Sequence, residues 1–218
     1  MTKALIMGHS LCKWLDRFLR FGTDPRLVPS FNIAEVCKVN MKGVGGRTID
    51  KLLRQDMGEV RLRRPDIVVL IIGDNDVKAD TSPEVIAHKI VALGTLLHRK
   101  YRVKHVVLCQ LMPRFTATLR QVGVSKIHNR NSVAAGKNYK DMYCQLAKEV
   151  NDIVRSEVLA YPYLTFWEHK RKFAFDRPQV REKFRSDGIH LSPKGQWHLY
   201  KSLRGALINA CYKISHKH

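Results

Sequence analysis

Short apolar runs alternate along the chain with stretches in which apolar residues recur at helical spacing. The runs predict five strands, at residues 4–7, 33–39, 67–72, 106–111 and 161–167. Residues 67–72 are six consecutive apolar residues, which is typical of a strand that is covered on both faces. Strands that are separated by helices are joined by right-handed crossovers, so we expect a parallel sheet with helices on both sides.

The helices are predicted from start signals and from apolar stripes. Ser82-Pro83 and Ser192-Pro193 each combine a capping serine with a proline at the first helical position, and Thr48 is a third candidate cap. The clearest stripe has apolar residues at helical spacing: Tyr143, Leu146, Ala147, Val150, Ile153 and Val154. The chain has no repeat and no obvious linker, so we expect residues 1–218 to form a single domain.

The net charge is the most unusual feature of the composition. The chain has 39 Lys and Arg against 19 Asp and Glu, a formal charge of +20. Such a charge favours a polyanionic environment or partner: nucleic acid, an anionic membrane surface or another anionic polymer. The five cysteines are dispersed, which predicts small buried thiols in a reduced, intracellular protein, cytoplasmic or nuclear. No apolar stretch is long enough for a membrane span, and the apolar start is too short for a signal peptide.

Candidate chemistry lies in four segments that we expect at the carboxyl ends of the strands, where open α/β sheets bind ligands. Ser10 follows the first strand, and residues 43–46 form a glycine-rich turn after the second. Asn75, after the central strand, has an amide that can donate to an oxyanion. Asp187 precedes His190 by three residues, a spacing that lets a carboxylate orient an imidazole as a general base.

Each segment also has a plainer interpretation. A serine in the position of Ser10, taken alone, is more often a helix cap than a nucleophile. The glycines are suited to a tight turn, and an Asp/His pair at this spacing is usually incidental. Asp74 and Asp76, on either side of Asn75, are compatible with a cation site, although we expect no metal. Only the occurrence of all four segments at one predicted edge favours an active site.

The order of these segments resembles that of the SGNH hydrolases, also called GDSL-like esterases and lipases. The matching blocks are Gly8-His9-Ser10, Gly46, Gly73-Asp74-Asn75-Asp76 and Asp187-Gly188-Ile189-His190. The resemblance spans nearly the whole chain and implies a flavodoxin-like three-layer α/β/α sandwich with about five parallel strands.

The resemblance also implies a role for each matching residue. Ser10 would be the nucleophile, with His190 as general base and Asp187 as its orienting carboxylate. The oxyanion hole would consist of the backbone N–H groups of Ser10 and Gly46 with the Asn75 amide. The implied reaction is hydrolysis of a carboxylic ester, acetyl or lipid, through an acyl-enzyme and without a cofactor.

The chain departs from the family pattern at His9, where the family usually has Asp. This difference leaves open both an active esterase and a module with weak or no catalysis. The blocks G-H-S and D-G-x-H-L are similar to SGNH domains of invertebrate genomes and of mobile-element proteins. The alternative function is therefore a nucleic-acid-associated SGNH module.

A basic cluster between residues 169 and 185 is the candidate contact surface for nucleic acid or an anionic membrane. Its cationic residues are Lys170, Arg171, Lys172, Arg181, Lys183 and Arg185. Phe173, Phe175 and Phe184 interleave with them, which suits single-stranded nucleic acid if the rings are exposed and a hydrophobic core if they are not. Residues 112–140 show no clear periodicity and are predicted to form a loop over the substrate site.

Overall fold

A five-stranded parallel sheet forms the centre of the molecule. The computed structural model describes residues 1–115 and 132–216. The strands are β1 Thr2–Gly8, β2 Cys37–Gly43, β3 Ile67–Ile71, β4 His105–Cys109 and β5 Leu164–Trp167. Their order is β2-β1-β3-β4-β5, and every neighbouring pair is parallel. This is the flavodoxin-like order, and it confirms the predicted fold class.

Within the described part of the chain, six α-helices cover the two faces of the sheet. They are α1 Ser10–Phe21, α2 Ile49–Gln55, α3 Met57–Arg63, α4 Pro83–Tyr101, α5 Ser132–Glu157 and α6 Pro193–Ser215. Side chains from α2, α3, α4 and α5 form one hydrophobic core, and those from α1 and α6 form the other. The central strands β3 and β4 are buried along their whole length, as the continuous apolar runs predicted.

The predicted helix starts are confirmed by their caps. The Ser82 hydroxyl accepts a hydrogen bond from the Val85 N–H, and the Ser192 hydroxyl accepts one from the Gly195 N–H. Thr48 caps α2 by accepting from the Lys51 N–H. These caps fix where α2, α4 and α6 begin, and therefore the shape of the loops that precede them.

The prediction for the second strand was wrong in its position. Phe31 and Asn32 have left-handed backbone angles, with φ of 56° and 51°, and they end the preceding segment in a turn. The N–H of Cys37 donates to the carbonyl of Ile33 at 2.8 Å, so residues 33–36 form a further turn. The apolar run 33–39 is therefore split between a turn and a strand, and β2 continues to Gly43.

The prediction of small buried thiols is confirmed for Cys12, Cys37 and Cys109 only. All five cysteines are free, and Cys144 and Cys211 are only half-buried. Burial raises the pKa of the Cys37 thiol to about 12, so this thiol is un-ionised at neutral pH. Among residues 1–115 and 132–216, no helix is both long and apolar enough to cross a membrane.

Candidate active site

Hydrogen bonds join the loops that follow the first three strands in sheet order. The N–H of Val44, after β2, donates to the carbonyl of Gly8 at the end of β1, at 3.0 Å. The side-chain amide of Asn75, after β3, donates to the carbonyl of Arg47 at 2.9 Å. The glycine-rich turn is thus held between the Ser10 segment on one side and the Asn75 segment on the other.

Ser10 is the first residue of α1, and the strand before it ends in a close contact. A Cβ atom on Gly8 would lie 1.9 Å from the carbonyl oxygen of Ile71, so only glycine allows β1 and β3 to approach here. The cap of α1 is His9, whose ring nitrogen Nδ1 accepts from the Leu11 N–H. Because His9 is the cap, the plainer interpretation of Ser10 as a capping residue is wrong.

The glycine-rich turn is fixed by a left-handed residue and by a salt bridge. Gly46 has φ of 69°, a conformation that favours glycine. The next residue, Arg47, donates from Nε and Nη2 to both carboxylate oxygens of Asp56, at 2.6 and 2.8 Å. Asp56 is buried, so this two-point ion pair holds the turn rigidly against the end of α2.

The Asn75 amide has a defined orientation. Its oxygen accepts a hydrogen bond from Arg114 at 3.3 Å, and its nitrogen donates to the Arg47 carbonyl. An amide nitrogen has two N–H bonds, so one remains available for a ligand. The half-buried position of Asn75 leaves it accessible at the mouth of the loops.

Asp187 and His190 form a hydrogen-bonded pair. Oδ2 of Asp187 lies 2.7 Å from Nδ1 of His190, and Oδ1 accepts from the backbone N–H groups of Ile189 and His190. Partial burial raises the pKa of Asp187, but these hydrogen bonds outweigh it and the pKa is lowered overall. The carboxylate is therefore ionised at neutral pH and keeps the proton of a neutral His190 on Nδ1.

The structure brings this pair beside the helix that begins with Ser10. The ring of Trp14 makes an edge contact with His190, with the ring centroids 6.0 Å apart. Trp14 lies four residues after Ser10, and residues at this spacing share one face of a helix. The guanidinium group of Arg185 also contacts Trp14: it lies over the Trp14 ring, 4.9 Å from the ring centroid.

Residues after β4 also belong to this edge. The N–H of Phe115 donates to the carbonyl of Gly188 at 2.9 Å, and Arg114 donates to the carbonyl of Asp74 at 2.8 Å. The predicted loop over residues 112–140 therefore contacts the site at its start. Its end was wrongly predicted, because α5 begins at Ser132. Residues 116–131 of that prediction lie outside the described residues.

The sequence analysis missed the partner of His9. Nε2 of His9 lies 2.8 Å from Oδ2 of Asp74, and both side chains are buried. Oδ1 of Asp74 accepts from the Met112 N–H and the Tyr143 hydroxyl. Burial raises the pKa of Asp74, but the His9 contact, the nearby Arg114 charge and the Met112 N–H lower it overall. Asp74, which was considered as a cation ligand, instead joins the segments that follow β1, β3 and β4 to α5.

Asp76, the second acid beside Asn75, also has a structural partner. Its carboxylate accepts from the N–H of Ile49 at 3.1 and 3.2 Å, at the start of α2. Burial, followed by the nearby Asp50 charge, raises the pKa of Asp76 to about 6. This contact ties the loop after β3 to the loop after β2, and so it supports the positions of Asn75 and Gly46.

The basic cluster is divided between two locations. Lys170, Arg171 and Lys172 are exposed, whereas Arg181 donates to the backbone carbonyls of residues 184–186 and Arg185 donates to that of Leu191. Lys183 is half-buried, and burial with the charge of Lys194 lowers its pKa. The aromatic rings of this segment follow the hydrophobic alternative, with Phe173 and Phe184 in the core.

Comparisons with known proteins give a family and a set of structural neighbours. The model of the GDSL-like lipase/acylhydrolase family matches residues 25–198. This range includes Gly46, Asn75, Asp187 and His190 and begins after Ser10. A search of curated proteins for relatives found no match.

Solved structures with the same fold include three hydrolases of low sequence identity. A GDSL-like lipase from Bacteroides thetaiotaomicron is 16% identical, with a TM-score of 0.68 over 96% of this chain and 89% of its own. A lipase/acylhydrolase from Enterococcus faecalis is 18% identical, with a TM-score of 0.63 over 96% of each chain. A carbohydrate esterase family 3 protein from Talaromyces cellulolyticus is 14% identical, with a TM-score of 0.65 over 97% and 99%. At this identity, the likeness establishes a shared fold.

Proposed function

Because the chain belongs to the GDSL-like lipase/acylhydrolase family, we propose that it is a serine hydrolase that cleaves a carboxylic ester through an acyl-enzyme. The supporting observation is the Asp187–His190 hydrogen bond of 2.7 Å beside the helix that begins with Ser10. An ionised carboxylate that accepts a hydrogen bond from Nδ1 leaves the opposite ring nitrogen, Nε2, as the proton acceptor that a general base requires.

Acylation begins when the Ser10 hydroxyl attacks the ester carbonyl and Nε2 of His190 takes the hydroxyl proton. Asp187 stabilises the imidazolium that results and does not itself become protonated. The tetrahedral intermediate then expels the alcohol, which receives the proton from His190. The acyl group remains on the Ser10 oxygen, and a water molecule activated by His190 hydrolyses that bond in the second half of the reaction.

The negative charge of the intermediate would be bound by three donors. The Ser10 N–H lies at the N-terminus of α1, where backbone N–H groups have no partner within the helix. Gly46 contributes its N–H from the turn held by the Arg47–Asp56 ion pair, and Asn75 contributes the second N–H of its oriented amide. Preorganised donors of this kind each contribute about 10²- to 10³-fold to kcat.

The surroundings of Gly46 and Asn75 favour a small, polar ester over a long-chain lipid. Both residues line an open cavity of about 510 Å³. Much of its remaining lining is charged: Asp50, Lys51, Arg54, Asp76, Lys78 and Lys89. A long acyl chain would leave these groups desolvated without compensation, which is unfavourable.

Hydrolysis of p-nitrophenyl esters with acyl chains of increasing length tests the proposal. We expect the acetyl ester to be cleaved faster than the octanoyl ester, and the Ser10→Ala variant to lose turnover and labelling by a fluorophosphonate probe. Ser156→Ala removes an exposed serine on α5 and is the matched control, with activity and labelling unchanged. If Ser10→Ala retained turnover, or if the probe labelled another residue, the proposed mechanism would be wrong.

A further inference from the structure

Another cavity lies at the end of β5, and its lining shares no residue with the candidate active site. It has a volume of about 220 Å³ and lies between the end of β5, the turn after it and the exposed side of α6. Its lining consists of Trp167, His169, Lys170, Lys172, Trp197, His198, Lys201, Ser202 and Gly205. We call this the Trp167–Trp197 cavity.

The lining has three lysines and no acidic side chain. Lys170, Lys172 and Lys201 are exposed, so their ammonium groups can reach a ligand at the mouth of the cavity. The nearby acids are already paired: Glu182 binds Lys194, and Glu168 binds Arg155. The Trp167–Trp197 cavity is therefore a local concentration of positive charge, which favours an anionic ligand.

The charge is dense enough to affect a neighbouring imidazole. Burial is the largest cause that lowers the pKa of His198, and the lysines around it lower it further, among them Lys172, Lys183 and Lys201. His198 is consequently neutral at physiological pH and can both donate and accept a hydrogen bond. A neutral imidazole among lysines suits a ligand that has polar edges as well as negative charge.

Two indole rings give the cavity an aromatic component. Trp167 and Trp197 are both half-buried, and Nζ of Lys201 lies over one face of the Trp197 ring, 4.2 Å from its centroid. The Trp167 N–H donates to the Ser202 hydroxyl at 3.0 Å, which fixes that ring. An aromatic face beside a lysine can stack on a planar ring while the ammonium group binds an attached anion.

The turn that presents the lysines is strained and firmly anchored. Lys170 and Arg171 have left-handed φ angles of 43° and 61°, which non-glycine residues adopt infrequently. The Lys172 N–H closes the turn on the carbonyl of His169, a residue that is completely buried and bonded to Ser202. Nε2 of His169 has no hydrogen-bond partner within the described part of the chain. Backbone strain of this kind is often retained where the position of a side chain matters for binding.

We propose that the Trp167–Trp197 cavity binds single-stranded nucleic acid, with a base against the aromatic lining and the adjacent phosphates on Lys170, Lys172 and Lys201. The combination of aromatic rings with lysines distinguishes this ligand from a simple anion, which needs no stacking surface. Binding of nucleic acid at this cavity would also use part of the net charge of +20, which the proposed ester hydrolysis does not require. The inference is independent of that function, because none of these residues belongs to the Ser10 site.

Fluorescence anisotropy with a labelled single-stranded oligonucleotide tests the proposal, over a series of salt concentrations. The test variant is Lys170→Gln, Lys172→Gln and Lys201→Gln together. The matched control is Lys38→Gln, Arg61→Gln and Lys100→Gln, which removes the same charge from exposed residues elsewhere. Loss of three phosphate contacts makes the negative slope of log K against log salt shallower by about 2, whereas the control variant keeps the wild-type slope.

Two further ligands show whether binding depends on the bases, on the phosphates or on anionic charge in general. An abasic oligonucleotide of equal length has the phosphates without the bases, and we expect it to bind about tenfold more weakly because stacking is lost. Vesicles containing phosphatidylserine present anionic headgroups without bases or a nucleic-acid backbone, and we expect them not to compete. Four results would each overturn the proposal. They are equal weakening of binding by both triple variants, equal affinity for the abasic strand, binding to vesicles alone, and no binding to the oligonucleotide at low salt.

Discussion

His9 and Asp74 form a buried pair, with Nε2 of His9 2.8 Å from Oδ2 of Asp74, directly behind the segment that presents Ser10. Nδ1 of the same ring accepts from the Leu11 N–H, so His9 both caps α1 and contacts the loop after β3. The histidine that departs from the family pattern is thus matched by an acid on the neighbouring loop.

Replacing His9 by the aspartate that the family usually has should destabilise this protein. His9→Asp removes the partner of Asp74 and places a second carboxylate next to it in a buried position. Removing the hydrogen-bond partner of a buried carboxylate in this way costs about 3–5 kcal/mol in the free energy of unfolding. Urea denaturation at pH 7, followed by circular dichroism, measures the loss.

The same pair offers a rescue variant as control. His9→Asp combined with Asp74→Asn removes the like-charge contact, and we expect it to recover more than half of the lost stability. If the single and double variants were equally unstable, the damage would come from the change in side-chain shape at position 9, and the charge argument would be refuted.

Asp74 should also make stability depend on acid pH. Its pKa is lowered in the folded state, so its contribution is fully present above the unfolded-state pKa of about 3.9 and is lost as pH falls through the folded-state value. Asp74→Asn removes this contribution. We expect the variant to be less stable than the wild type at pH 6, with a difference that shrinks below about pH 4. A constant difference across this range, measured by urea denaturation, would contradict the assignment.

The fold could be predicted because its signals are local. Apolar runs identify strands that are buried on both faces, and the two Ser-Pro dipeptides identify the starts of α4 and α6. Where two local signals competed, prediction failed. The apolar residues at 33–36 are spaced like a strand, but the left-handed residues before them redirect the chain into turns. Nothing in those side chains shows the reversal in advance.

The segments of the site could be located from sequence, but their mutual contacts could not. Asp74 and Asp76 both stand in a turn-forming stretch, and only the fold shows that one faces His9 and the other the N–H of Ile49. The contact of Trp14 with His190 joins residues 176 positions apart (190 − 14). Such pairings depend on sheet order and helix placement, which short-range periodicity does not encode.

Asp76→Asn should stabilise the protein above neutral pH. Burial raises the pKa of Asp76 to about 6, so ionising this carboxyl group destabilises the folded state. Below the unfolded-state pKa of about 3.9 the group is protonated in both states and there is no cost. The cost grows between about pH 3.9 and pH 6 and is constant at higher pH. Partial exposure reduces the cost to about 1–2 kcal/mol. Asparagine retains an oxygen that can accept the Ile49 N–H. We expect Asp76→Asn to be more stable than the wild type at pH 8 and not at pH 4, with exposed Asp80→Asn unchanged at both. An equal difference at the two pH values would refute this explanation.

Asp187→Asn should preserve the fold and reduce turnover. An amide at this position no longer stabilises the imidazolium, and its NH₂ group can favour the wrong tautomer of His190. By analogy with other serine hydrolases, kcat falls by about 10³- to 10⁴-fold while KM changes little. Steady-state kinetics with p-nitrophenyl acetate measure both constants, and Asp176→Asn, an exposed acid in the same region, is the control. A kcat within tenfold of the wild type would mean that Asp187 is not the orienting carboxylate.

Trp14 should influence catalysis through the orientation of His190. Its ring contacts the imidazole edge-on, and Trp14→Ala leaves that side of His190 unsupported. Small displacements of a catalytic base reduce kcat steeply, and we expect a loss of about tenfold with KM nearly unchanged. Trp14→Phe keeps an aromatic ring at the same place and should retain most of the activity. Trp197→Ala deletes an equally large side chain that is half-buried on α6, away from the Ser10 site, and should leave kcat at the wild-type value. If Trp14→Ala and Trp197→Ala lowered kcat equally, the effect would arise from a general loss of packing, and Trp14 would have no specific part in positioning the base.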